Sequence, residues 1–200
     1  MKRKTLAILF VGCALALAAQ DHIQVNYQGT TPTISDFAWA FLTSLDNDEE
    51  ECGDKPTNAI KAAWIQLREG KPLDEGIALT IDNANGYLLY EFVYQSVVQR
   101  MEMCYWNESD GKHKLFAFNN MATLDNGKPV ITETSGLTFW RYNNATKKMT
   151  YCAPPGFDVE YFDTFYALPR TGKNITVTKW NENGTTQEKT LKWDGHQFKF

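Results

Sequence analysis

The chain has 200 residues, 43% hydrophobic and 22% charged, which suits one globular domain with its own core and excludes a disordered chain. Its formal net charge is −4, and no Lys/Arg cluster follows the first four residues. Nucleic acid and anionic lipid surfaces are thereby excluded as partners, because both are bound through concentrated basic patches.

Lys2, Arg3 and Lys4 precede an apolar run from Leu6 to Leu17, and Ala16-Leu17-Ala18 offers small residues at the −3 and −1 positions of a cut. This is the pattern of a secretory signal peptide, too short and wrongly flanked for a spanning helix. The expected organisation is a signal over residues 1–19 and a single α+β domain over residues 20–200. Loss of Lys2, Arg3 and Lys4 takes the net charge from −4 to −7. A competing reading makes Cys13 the site of a lipid anchor, since Phe10-Val11-Gly12-Cys13 loosely fits a lipobox. Simple cleavage is preferred, because apolar residues continue past Cys13 and Phe suits the first lipobox position poorly. No other stretch reaches the length of a span, so no transmembrane helix is expected after signal removal.

The mature chain keeps Cys52, Cys104 and Cys152. Three cysteines allow one disulfide at most; Cys104 with Cys152 is the preferred pairing, and three reduced thiols is an equal alternative. No Cys/His spacing fits zinc, so neither a metal nor another cofactor is expected.

In chain order, Asp21–Gln28 alternates like a short strand. Thr33 looks like an N-cap with Asp36 three residues on, and Phe37, Phe41 and Leu45 predict an amphipathic helix over Ile34–Leu45. The acidic run Asp46–Asp54 fails the EF-hand spacing and reads as a solvated loop. A second helix runs from a cap at Thr57-Asn58 to Gly70. From Ile77 the period becomes 2. Strands are predicted at Ile77–Ile81, Tyr87–Tyr94, Val97–Trp106, Lys112–Asn119, Leu137–Tyr142, Lys148–Cys152, Asn174–Trp180 and Thr186–Trp193, separated by Asn-Gly, Asp-Gly and similar turns, and Gly195 leads to the closing Gln197–Phe200. Pro154-Pro155-Gly156 breaks the sheet, and Phe157–Tyr166 shows neither period.

Helices followed by strands mean α+β, with no helix placed to cross over in a parallel sheet. The expected fold is two N-terminal helices packed on a long curved antiparallel sheet of successive hairpins, with a partly closed barrel as a variant. Trp-Asn and Trp-Asp before turns lack a constant spacing, which argues against a propeller.

Thr33-Ile34-Ser35-Asp36-Phe37, Asn85-Gly86-Tyr87, Met103-Cys104-Tyr105-Trp106-Asn107 with Asp110-Gly111-Lys112-His113-Lys114-Leu115, and Gly136–Tyr142 carry a resemblance. Across most of the mature chain the sequence resembles uncharacterised exported proteins of Bacteroidetes. The resemblance implies a Gram-negative envelope setting, whether periplasmic, outer-membrane-associated or secreted, and no activity.

Chemistry is sparse in the residue inventory. There is no Gly-x-Ser-x-Gly elbow and no glycine-rich phosphate loop. A Cys104–His113 thiol–imidazole pair is disfavoured because the hairpin places Cys104 opposite Leu115 and His113 nearer Trp106 and Asn107. Glu91, Glu102, Asp158, Glu160 and Asp163 are carboxylates of the right type for glycoside hydrolysis, with surface solubility an equal explanation. The aromatics Trp106, Trp140, Tyr142 and Trp180 are the candidate binding residues, since exposed rings near turns stack on sugars or apolar partners; the competing reading puts them in the core. Two functional classes follow: a non-enzymatic ligand- or protein-binding or accessory module of the envelope, and a secreted carboxylate-dependent hydrolase acting on glycan or peptide.

Overall fold

Alternation along the two longest strands decides how the layers form. The computed structural model describes residues 22–45, 56–124, 126–130, 135–160 and 163–200. The signal pattern with Cys13, the acidic run and Cys52 lie outside the described residues. Within them, β1 (Ile23–Gln24), α1 (Ile34–Ser44) and α2 (Pro56–Arg68) precede β2 (Ile77–Asp82), β3 (Tyr87–Tyr94), β4 (Val97–Asn107) and β5 (His113–Leu124). There follow β6 (Pro129–Val130), β7 (Gly136–Asn143), β8 (Lys148–Cys152), β9 (Thr164–Ala167), β10 (Ile175–Trp180), β11 (Thr186–Trp193) and β12 (Phe198–Lys199).

The strands are antiparallel and form two sheets, where a single long sheet was expected. The larger has the order β1-β8-β7-β5-β4-β3-β2 with β6 on β5, and the smaller β12-β11-β10-β9. The change of sheet falls at the Pro154-Pro155-Gly156 break. Proline supplies no N–H to continue a ladder. Instead the Pro155 carbonyl accepts the Phe198 N–H at 2.8 Å, which docks the crossing on β12. Gly156 stands at φ +88, where a Cβ would lie 2.4 Å from the Phe198 carbonyl oxygen, so only glycine permits that approach.

Successive side chains of a strand point to opposite faces. On β4, Met101, Met103 and Tyr105 pack with the helices, whereas Cys104 and Trp106 pack with the small sheet. On β5, Phe116 and Phe118 face the helices, and Leu115, Ala117 and Met121 face the small sheet. The order is therefore helices, large sheet, small sheet. This explains why β5 reads as a nearly continuous buried run.

The helix cap forms as expected: the Asp36 carboxylate accepts the Thr33 backbone N–H and the Thr33 hydroxyl, each at 2.7 Å. From α1, the Phe37 ring meets Tyr105 at 5.1 Å and Tyr142 at 5.0 Å, and Phe41 meets Trp140 at 4.7 Å and Phe118 at 5.0 Å. α1 also touches β1 and β2, the two edges of the large sheet. Laid flat, six inter-strand steps of about 4.8 Å would separate those edges by about 29 Å. A helix about 10 Å across reaches both only if the sheet curls round it. The sheet is thus curled but open, since β1 pairs with β8 and β2 with β3.

The two sheets share one buried carboxylate. Glu102 of β4 accepts the Tyr87 hydroxyl at 2.8 Å, Asn119 Nδ2 at 3.1 Å and the Leu168 backbone N–H at 3.1 Å. Arg100 stands 3.4 Å away. Asn119 Nδ2 also donates to the Tyr166 carbonyl at 2.7 Å. The end of β9 is therefore held to the large sheet by polar bonds in an otherwise apolar interface. A buried donor left without an acceptor costs about 1–3 kcal/mol. Glu102→Leu strips the acceptor from several at once, and is expected to lower unfolding free energy in urea by about 3 kcal/mol or more. A loss below about 1 kcal/mol would show that Glu102 does not hold the sheets together.

Candidate functional site

The aromatic candidates are placed first. Trp106, Trp140 and Tyr142 are buried, at 4%, 3% and 0% exposure. Trp106 packs on Trp193 and Phe198 and donates its Nε1–H to the Lys173 carbonyl at 2.9 Å. Trp140 lies between Phe41 and Tyr151, and Tyr142 stands edge-on to Phe37. These three are core residues and correct the expectation of a binding row. The reason is two-sided burial: rings on either face of the large sheet meet a layer, so nearness to a turn does not expose them. Trp180 alone is half-buried, beside Gly127 of the β5–β6 turn. The four do not converge.

The cysteines and carboxylates separate in the same way. Along the ladder, Cys104 faces Ala117, Ala117 faces Phe139, and Phe139 faces Cys152. Three inter-strand steps make about 14 Å, beyond the reach of a disulfide, and both thiols are free. Burial pushes the Cys104 thiol well up and Cys152 up to about 11. Cys104 opposes Ala117 rather than Leu115, two residues from the expected register, so His113 is farther from it still. Glu91 pairs with Arg100 at 3.4 Å, Glu160 and Asp163 flank Lys179, Asp158 is exposed, and Glu102 is sealed between the sheets. Glu160 and Asp163 come together only around the exposed Lys179 ammonium, and none of the five lines the depression described below.

The residues that do converge surround the β4–β5 turn. Asp110 Oδ1 accepts the backbone N–H groups of Lys112 at 2.8 Å and His113 at 3.0 Å, an Asx turn that Gly111 completes at φ +66. Asp110 Oδ2 meets His113 Nδ1 at 2.5 Å. On β7, Asn143 Oδ1 accepts the Ala145 and Thr146 N–H groups, which orients its amide so that Nδ2 donates to His113 Nε2 at 3.1 Å. The imidazole is held at both nitrogens, with hydrogen on Nδ1 toward the carboxylate and Nε2 accepting. Glu108, nearly buried, accepts Arg141 Nε at 2.7 Å.

Beside this turn lies an open depression of about 350 Å³, lined by His22, His113, Arg141, Asn143, Thr146, Lys148 and Thr150. The ladder explains the grouping. Asn143 stands between His113 of β5 and Lys148 of β8, and Arg141 pairs with Thr150, so all five share one face beyond the edge of the small sheet. Ser109 Oγ meets His196 Nε2 at 2.5 Å on the neighbouring surface, and the Ser109 N–H donates to the Gly195 carbonyl at 3.0 Å. That contact sews the β4–β5 turn to the β11–β12 turn. Among the described residues no carboxylate bonds the other His196 nitrogen, so a serine-nucleophile triad is not assembled. Glu108, Asp110 and His113 offer ligand atoms within 4.8 Å of one another. The Arg141 guanidinium already occupies the Glu108 side, where a cation would have to stand.

Residue reading alone missed Arg141, Asn143, Lys148 and Thr150. The signal was available in the predicted Leu137–Tyr142/Lys148–Cys152 hairpin, whose polar residues alternate onto one face at its turn end. Among the described residues no helix is long and apolar enough to cross a membrane. No family model, curated protein or solved structure matches the chain.

The His113 hydrogen bond, followed by the Lys112 N–H, holds the Asp110 carboxyl down at about 2, below its ordinary 3.8. A depressed carboxyl stabilises the fold above the ordinary value, and that stabilisation is lost as pH falls through about 2. The carboxyl ¹³C shift of Asp110 is expected to titrate near 2, and in His113→Ala its midpoint is expected to rise toward 3.8. Identical midpoints in both proteins would rule out the pairing.

Proposed function

We propose that the chain is an exported, non-enzymatic binding module of a Gram-negative envelope, presenting the depression over β7 and β8 to its ligand. The observation that carries this reading is the double anchoring of His113 between Asp110 and Asn143. General acid–base catalysis needs a ring nitrogen within reach of the reacting proton. Both nitrogens of His113 are spent on the protein, and the remaining lining is cationic donors, the Asn143 amide, threonine hydroxyls and His22, to which no carboxylate bonds among the described residues. Export is supported by the Lys2-Arg3-Lys4 start, the apolar run after it and Ala16-Leu17-Ala18. The resemblance to exported proteins of Bacteroidetes points the same way. The ring contacts of α1 support the finer architectural reading, in which the helices fill the hollow of a partly closed barrel and leave the opposite face and turn ends for contact.

The hydrolase reading has one observation in its favour. His22 and His113 border the depression, with Asp110 and Glu108 behind them. Those carboxylates are engaged by His113 and Arg141, and among the described residues none of them bonds His22 or a threonine hydroxyl of the lining to activate it.

The two readings separate in an assay of the secreted or periplasmic protein against panels of glycosides, esters and peptides. No turnover that disappears in His113→Gln is expected. Hydrolysis abolished by that substitution would overturn the binding-module reading.

A further inference from the structure

The depression has a chemical bias that its place on an acidic chain does not suggest. Its seven lining residues include Arg141 and Lys148 and no Asp or Glu, although the chain carries a net charge of −4. Arg141 pairs with Thr150 across the β7–β8 ladder and Asn143 with Lys148, so Arg141 and Lys148 are diagonal neighbours on one face. Diagonal cross-strand residues lie about 7–8 Å apart at the backbone, within reach of long side chains converging on one point. Arg141 gives Nε to Glu108, and its side chain remains 45% exposed. Among the described residues the Lys148 side chain has no hydrogen bond or ion pair, so its ammonium is a free charge at the rim. Thr146 and Thr150 add hydroxyls, and each can donate.

We propose that this depression binds an oxyanion, the phosphate or carboxylate group of a larger ligand, which Arg141 and Lys148 grip and the threonine hydroxyls orient. The inference rests on the binding-module reading above and names the ligand class of that site. Guanidinium, ammonium and hydroxyl donors match the acceptor-only character of an oxyanion. A neutral sugar would find more donors than acceptors here, since arginine and lysine accept nothing and the threonine hydroxyls and His22 are left to take its hydroxyl protons. The Glu108 carboxylate behind Arg141 fixes the guanidinium plane and offsets part of its charge, so the free anion binds weakly and the rest of the ligand supplies further contacts.

The test uses the mature protein at constant ionic strength, titrated separately with inorganic phosphate, acetate and chloride, while the His22 and His113 side-chain and Thr150 backbone NMR shifts are followed. A saturable shift with phosphate or acetate and none with chloride is expected; whichever anion saturates at the lower concentration identifies the group. Lys148→Gln is expected to weaken that binding about two- to fivefold and Lys148→Glu to abolish it. Lys192→Gln, on the exposed side of β11, is expected to leave it unchanged. Because Lys148 has no partner to lose, these variants test the ligand and not the fold. No saturable shift with either anion, or equal binding in Lys148→Glu, overturns the proposal. Either result leaves the binding-module reading in place, which only His113-dependent turnover removes.

Discussion

The β4–β5 ladder has a packed layer on each of its faces, and most of the remaining structure is arranged to provide them. Met101, Met103, Phe116 and Phe118 would stand in water without the helices; Cys104, Leu115 and Ala117 would do so without the small sheet. Burying a large apolar side chain contributes about 1.5–3 kcal/mol, so neither layer is dispensable to so long a hairpin. The layers differ in how they are held. α1 inserts Phe37 and Phe41 into a hollow that the sheet makes by curling, whereas the small sheet covers the opposite face and adds the Glu102 bonds to its apolar contacts.

Two-sided burial also explains what the sequence showed and what it concealed. Strand positions were legible because alternation and Asn-Gly or Asp-Gly turns are local, and Thr33 with Asp36 announced α1 for the same reason. The helix at Pro56–Arg68 begins slightly before its expected cap, and β6 was too short to leave a period. The division into two sheets was not legible. Pro154-Pro155-Gly156 signals a break, but which sheet the next strand joins depends on Leu191, Ile175 and Phe198 finding a second face of β4 and β5. The aromatics misled for the same reason. A ring near a turn is exposed on a one-layer sheet, and Trp106 and Trp140 belong to a sheet covered on both sides.

The candidate site sits where this covering stops. Beyond the edge of the small sheet the same face of β7 turns polar: Phe139 is core, Arg141 half-exposed, and Asn143 is spent on His113 and its own turn. Asp110, Asn143 and Asn144 tie the β4–β5 and β7–β8 turns into one unit, with Asn144 donating to the carbonyls of Lys112 and Gly111. A rigid rim of donors results from turn chemistry that the sequence displays openly. Its assembly across three strands depends on register, which residue types alone do not fix.

Native-state hydrogen exchange tests the central claim most directly. If burial on both faces makes the β4–β5 ladder the most stable part of the fold, the amides of Met101–Cys104 and Phe116–Phe118 exchange last, only on global unfolding. The β10–β11 amides, with one face exposed, exchange earlier. Protection in β10–β11 that outlasts the central ladder, or loss of both together with the edge strands, would contradict the account.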